Sequence, residues 1–97
     1  MSEKRYVVIT TDEDKRGVFG GFLESWDADK QIAVLVDARM TVYWSRATRG
    51  VLGLASHGPQ KGSRITPPIP RIELSGVTAV MDASEEAREQ WEIGIWD

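Results

Sequence analysis

Arg5-Tyr6-Val7-Val8-Ile9-Thr10-Thr11, and beyond a charged turn Val18-Phe19-Gly20-Gly21-Phe22-Leu23-Glu24-Ser25-Trp26, is the stretch that decides the fold. The first run is rich in β-branched and aromatic residues, which pack well on a pleated surface, and it stops at Asp12-Glu13-Asp14-Lys15-Arg16-Gly17. The second resumes the strand pattern. Its Gly20-Gly21 pair predicts a bulge or tight bend, because glycine relieves the crowding that such backbone geometry creates. Two strands this close in sequence can only pair antiparallel, since a parallel pair needs a crossover of a dozen or more residues.

Working outward, Asp27-Ala28-Asp29 reads as a hairpin turn, and Gln31 to Val36 and Arg39 to Trp44 read as third and fourth strands, so four strands are expected before Ser45. Ser45 is placed to cap a helix from Arg46 to Ser56, with Val51, Leu52, Leu54 and Ala55 at helical spacing and Gly58-Pro59 as the stop. Gly50 and Gly53 would each cost such a helix about 1 kcal/mol against alanine, so it depends on tertiary packing. Gly58 to Pro70 is the longest irregular stretch, with four prolines and two glycines. Arg71 to Leu74 and Val77 to Met81 supply further strands around a Ser75-Gly76 turn. Ser84 caps a second helix with Glu85 and Glu86 in its first turn, and Glu92 to Trp96 is read as an edge strand. The expected fold is therefore α+β: a curved, mostly antiparallel sheet of about five to seven strands, with a small open barrel as one form of it, one central short helix and one C-terminal short helix.

The chain has 97 residues, enough for one core, so residues 1–97 are read as a single domain. With no cysteine there is no disulfide, thiolate nucleophile or cysteine metal site, and an uncrosslinked core fits a cytoplasmic setting. No apolar run approaches the roughly 18 residues of a membrane span, and no signal-peptide core stands at the start.

The charge distribution is uneven. The net charge is −3, but the segment from Ala38 to Ile72 contains Arg39, Arg46, Arg49, Lys61, Arg64 and Arg71 and no acid: six of 12 basic residues and none of 15 acidic ones. It carries +6 and the remainder −9. Segregation of this kind gives a local positive potential that draws anions. A sequence pI near 5.1 speaks against binding duplex nucleic acid by charge alone, which calls for a basic domain with many phosphate contacts.

No Ser nucleophile elbow, phosphate-binding glycine loop or metal motif is present, so no catalytic residue, cofactor or metal is assigned and the protein is read as a non-enzyme. His57, the lone histidine, is read as a partner for a helix C-terminus or an exposed residue. The pairs Asp12/Asp14 and Asp27/Asp29 lack the longer ligand array calcium needs and are read as solvated turn residues. Arg46 and Arg49, three apart at the start of a helix, sit where the macrodipole disfavours cations, a placement that favours an anion bound by guanidiniums and backbone amides together. The alternative is that these arginines pair with carboxylates elsewhere in the fold. Tyr43 and Trp44 face opposite sides of a strand, one towards the core and one free to stack on a base or a partner.

Tyr6-Val7-Val8-Ile9, Gly17 to Ser25, and Asp37-Ala38-Arg39 with Tyr43-Trp44-Ser45 resemble a family of small uncharacterised proteins of tailed phages and prophages. The Asp-Ala-Arg run with the Tyr-Trp pair behind it is the most specific piece. Val51 to Ala55, the basic loop, Arg71-Ile72-Glu73-Leu74 and Trp96 are similar too, whereas Met40 and Thr41 stand where family members often carry another basic or aromatic residue. The resemblance implies a phage origin and action in the host cytoplasm during infection; it transfers no catalytic residue.

The expected function is a non-enzymatic, homo-oligomeric phage protein that binds and sequesters a phosphate-bearing small molecule, such as a host nucleotide immune signal, as a sponge-type anti-defence protein. Arg39, Arg46, Arg49, Lys61 and Arg64 are assigned to phosphate contact, Tyr43 or Trp44 to stacking, and Ser45 to capping and a hydroxyl contact. The rival is a protein-interaction module that inhibits a host protein, supported by four tryptophans in so small a chain, or an accessory virion component. No membrane partner and no sequence-specific nucleic acid is expected.

Overall fold

Tyr6, Val7, Val8 and Ile9 are all buried, which is what a strand covered on both faces demands of its sequence. They form most of β1 (Tyr6–Thr11) in a computed structural model that describes residues 5–12 and 17–94. β2 (Val18–Asp27) and β3 (Ile32–Tyr43) follow as hairpin partners, then a single 3₁₀ turn (Arg46–Thr48), α1 (Gly50–Ser56), β4 (Arg64–Ile65), β5 (Ile69–Leu74), β6 (Val77–Asp82) and α2 (Glu85–Ile93). The six strands make one antiparallel sheet in the order β4-β3-β2-β1-β6, with β5 also on β3. The fold is the expected α+β one, a curved open sheet with a central and a C-terminal helix.

Curvature comes from the β5–β6 link. β5 lies along β3 and β6 along β1, on opposite sides of the sheet, yet only Ser75 and Gly76 separate the two strands. The sheet must curl until its edges are within two residues' reach. Gly76 is held between the two turns it bridges: its carbonyl accepts from Asp12 N at 2.9 Å, and Val77 N donates to Gln31 O at 3.1 Å. Inside the curl lie Val7, Ile9, Ala33, Leu35, Ala38, Leu74 and Val77; on the outer face Tyr6, Val8, Val18, Leu54, Ala55, Ile65 and Trp91 pack under the helices. Alternation along β1 thus feeds two cores from one strand.

Three expectations are corrected. Ile32–Tyr43 is one strand, not two, so three strands precede Ser45. Asp37 and Ala38 make no turn; they stand opposite Gly21 alone as a bulge, Asp37 with φ +50°. Gly21 is the residue that permits it, since a Cβ there would lie 3.2 Å from the Ala38 Cα, the Leu35 Cβ and the Val36 carbonyl. The central helix starts at Gly50, because Arg49 is left-handed (φ +66°) and breaks the run from Arg46. Glu92 and Ile93 continue α2, closed by Gly94 at φ +68°, so no strand begins at Glu92; Trp96 lies outside the described residues.

The far end of β3 sets the position of the basic segment. Residues 64–74 run back along β3 but are broken at Pro67-Pro68, whose rings leave no N–H for the ladder. Thr66 takes up the gap: its N–H donates to Met40 O at 3.0 Å and its Oγ1 accepts from Met40 N at 2.9 Å. Ser84 caps α2 as expected, accepting from Ala87 N at 3.0 Å and donating to Ser56 O at 2.8 Å, which ties α2 to the end of α1. Among the described residues no helix is long and apolar enough to cross a membrane.

Candidate functional site

Beyond β3, the chain from Ser45 to Arg49 and the loop from Gln60 to Arg64 are joined through hydroxyl groups. Ser45 N donates to Ser63 Oγ at 3.0 Å, Gln60 N donates to Thr48 Oγ1 at 3.0 Å, and the Thr48 and Ser63 hydroxyls are 3.3 Å apart. Thr48 and Ser63 are completely buried, so each polar group has to find a partner and the two loops hold one geometry. Gly62, at φ +94°, lets the loop close on Ser45, whose Cβ is 3.3 Å from where a side chain would begin.

On the outside of this join lie Arg46 and Arg49 on one loop and Lys61 and Arg64 on the other, all exposed. Arg46, Arg49 and Lys61 make no ion pair among the described residues. Neither loop contains a carboxylate, and they pair with each other, so the basic residues of the acid-free stretch are brought to one corner of the fold. Tyr43 stands beside Arg64 in the β3–β4 register and is 55% exposed. Trp44, on the opposite side, is half-buried against the outer core. Of the two aromatic residues, Tyr43 is the one with an accessible ring.

Other assigned residues sit elsewhere or act differently. Arg39 is spent internally: its guanidinium donates to Thr66 O at 3.4 Å and to Glu92 O at 3.2 Å, gripping the last turn of α2 beside Gly94. Arg71 pairs with Glu24 at 3.1 Å. Ser45 makes no side-chain cap; its hydroxyl faces Gln60 O at 3.5 Å. Arg46 and Arg49 do not share a helical turn, since Arg49 lies before α1, and the backbone amides of a seven-residue helix are not the anion site that their spacing suggests. His57 is the C-cap of α1, exposed, with Nδ1 3.6 Å from Glu86 Oε2. Asp27 Oδ1 accepts the amides of Asp29 and Lys30, a turn role; Asp14 lies outside the described residues. Among the described residues no group of three metal-binding side chains occurs.

A cleft of about 650 Å³ is away from this corner, between β1, β2 and the start of α2, with Arg5, Asp82, Glu85 and Arg88 on its rim. A smaller one of about 180 Å³ shares Tyr6 and Phe22 with it and is completed by Asp37, Arg39, Pro68 and Glu92. Neither is legible in the sequence, because each draws its lining from distant parts of the chain, from Tyr6 and Phe22 to residues of α2.

The model of one protein family, described as a domain of unknown function (DUF6948), matches residues 4–91. The chain belongs to this family. The DUF6948 match spans every strand and most of α2, so the curved sheet, the joined loops and the cleft of about 650 Å³ lie within the family's domain, as does the smaller cleft apart from Glu92. No curated protein and no solved structure matches the chain.

Proposed function

We propose that this DUF6948 domain is a non-enzymatic binding protein that captures a phosphate-bearing small molecule at the corner carrying Arg46, Arg49, Lys61 and Arg64, with Tyr43 as the stacking ring. The observation that carries this reading is that Arg46, Arg49 and Lys61 stay exposed without ion pairs among the described residues, in a protein whose net charge is negative. Cations left without carboxylates in an acidic fold cost solvation balance nothing while they face water, and they are available to an oxyanion, for which two guanidiniums are well shaped. Arg49 adds to this. A left-handed backbone is a position that glycine fills at lower cost, so an arginine kept there points to a use for its side chain.

The resemblance to small phage proteins supplies the setting: a protein made in the host cytoplasm that removes a nucleotide signal by binding it, as a homo-oligomer. Calorimetric titration with a panel of cyclic mononucleotides, cyclic dinucleotides and cyclic ADP-ribose isomers tests the reading. Heat of binding with one member supports it, and no heat with any member overturns it.

A second reading is favoured by Val42, Tyr43 and Leu52, which are 50%, 55% and 73% exposed on the elements flanking the same corner. Apolar groups beside unpaired cations also suit a protein partner, including an inhibited host protein or a virion component. A stoichiometric partner whose capture survives Arg46→Ala/Arg49→Ala and is lost with Leu52→Ser would replace the first reading with this one.

A further inference from the structure

Tyr6 is 6% exposed, and its hydroxyl is buried with no hydrogen-bond partner among the described residues. Buried phenols nearly always find one, so an orphan on the wall of a cleft marks a position where a bound group completes the bonding. Tyr6 lines both clefts described above. The charged groups facing its ring end are Arg39 on β3, Asp37 at the β3 bulge, and Arg88 and Glu92 on α2. Burial, the largest influence, raises its pKa, so the hydroxyl remains protonated and able to donate.

The smaller cleft is lined by both donors and carboxylates. Tyr6 Oη and the Arg39 guanidinium supply donors: two of the five N–H groups of Arg39 go to Thr66 O and Glu92 O, which leaves others. Asp37 and Glu92 supply carboxylates: Asp37 makes no ion pair among the described residues, and Glu92, which pairs with Arg88 through Oε1 at 3.2 Å, keeps further acceptor positions. Phe22, edge-on to Tyr6 with ring centroids 5.1 Å apart, and Pro68 give it an apolar side. Donors and carboxylates together around about 180 Å³ suit a small molecule that carries both charges.

We propose that this cleft binds a small zwitterion, an amino-acid-like molecule whose carboxylate meets Tyr6 Oη and Arg39 and whose ammonium meets Asp37 and Glu92. The site is separate from the basic corner, and neither depends on the other.

The test is an amide chemical-shift titration of the full chain with three probes of similar size: an L-amino acid such as leucine, the corresponding amine without its carboxylate, and the corresponding acid without its amine. The expected result is saturable shifts around Asp37, Arg39 and Glu92 with the amino acid, at least tenfold weaker with either half-molecule. Tyr6→Phe is expected to weaken the amino acid by about five- to tenfold, the loss of one hydrogen bond, with no drop in thermal midpoint, because the hydroxyl has no internal partner to lose. Asp37→Asn, which keeps a side chain tolerant of positive φ, is expected to weaken it as well. Equal binding of the amine or acid alone, absence of shifts at these residues, or a clear drop in the thermal midpoint of Tyr6→Phe, which would mean an internal partner, overturns the proposal.

Discussion

The indole of Trp91 lies directly on Gly20: a Cβ on that glycine would come within 2.7 to 2.9 Å of three of its ring atoms. Trp91 is completely buried, and its Nε1 donates to Leu54 O at 2.9 Å, so this one contact joins β2, α1 and α2. Gly20→Ala is therefore expected to destabilise by about 1–3 kcal/mol through overpacking. Trp91→Phe removes the hydrogen bond and leaves a void, and is expected to cost about 3 kcal/mol or more. Urea denaturation followed by circular dichroism measures both.

Ser84 caps α2 and also donates to the end of α1. Ser84→Ala should cost about 1–2 kcal/mol, at the upper end for a cap because two elements lose a tie. Ser84→Asp, which keeps the acceptor and suits the helix dipole but cannot donate to Ser56 O, should recover only part of it in the same assay.

Burial holds the Tyr6 hydroxyl protonated well above its ordinary range, whereas in the unfolded chain it ionises near 10.0, the ordinary value for a phenol. The folded pKa is the higher one, so the associated stability is complete below pH 10 and is lost as pH rises beyond it, by about 1.4 kcal/mol per unit. Denaturation midpoints measured from pH 9 to 11 should fall in the wild type and fall less in Tyr6→Phe. Parallel curves would show that the phenol is not the group responsible.

Much of this fold was legible because its signals are local. The β-branched and aromatic run in Tyr6 to Thr11, the Ser84 cap with Glu85 and Glu86, and the glycines at positions 20 and 21 each act within a few residues of themselves. The Asp37 bulge was read as a strand break, since sequence alone does not reveal that Gly21 across the sheet makes room for it. Arg39 was assigned to a ligand for a similar reason: only the tertiary fold brings it to the carbonyls of Thr66 and Glu92. The basic corner was half legible. Charge counting found its residues, but the hydroxyl groups of Ser45, Thr48 and Ser63 that join its loops carried no pattern.

The arginines separate by the same logic. Arg39→Ala is expected to destabilise by about 1–3 kcal/mol, since two carbonyls lose a charged donor. Arg46→Ala should stay within about 0.5 kcal/mol of wild type. Arg49→Gly, which relieves a left-handed position, should raise stability by up to about 1 kcal/mol while weakening any phosphate ligand. Thermal denaturation of the three variants checks the ordering.

Amide chemical-shift mapping of the wild type during titration with cyclic nucleotides and cyclic ADP-ribose isomers tests the central claim most directly. Saturable shifts are expected at residues 43–49 and 60–64, abolished in Arg46→Ala/Arg49→Ala although that variant remains folded. Shifts confined to the Tyr6 cleft, or binding unchanged in the double variant, would contradict it.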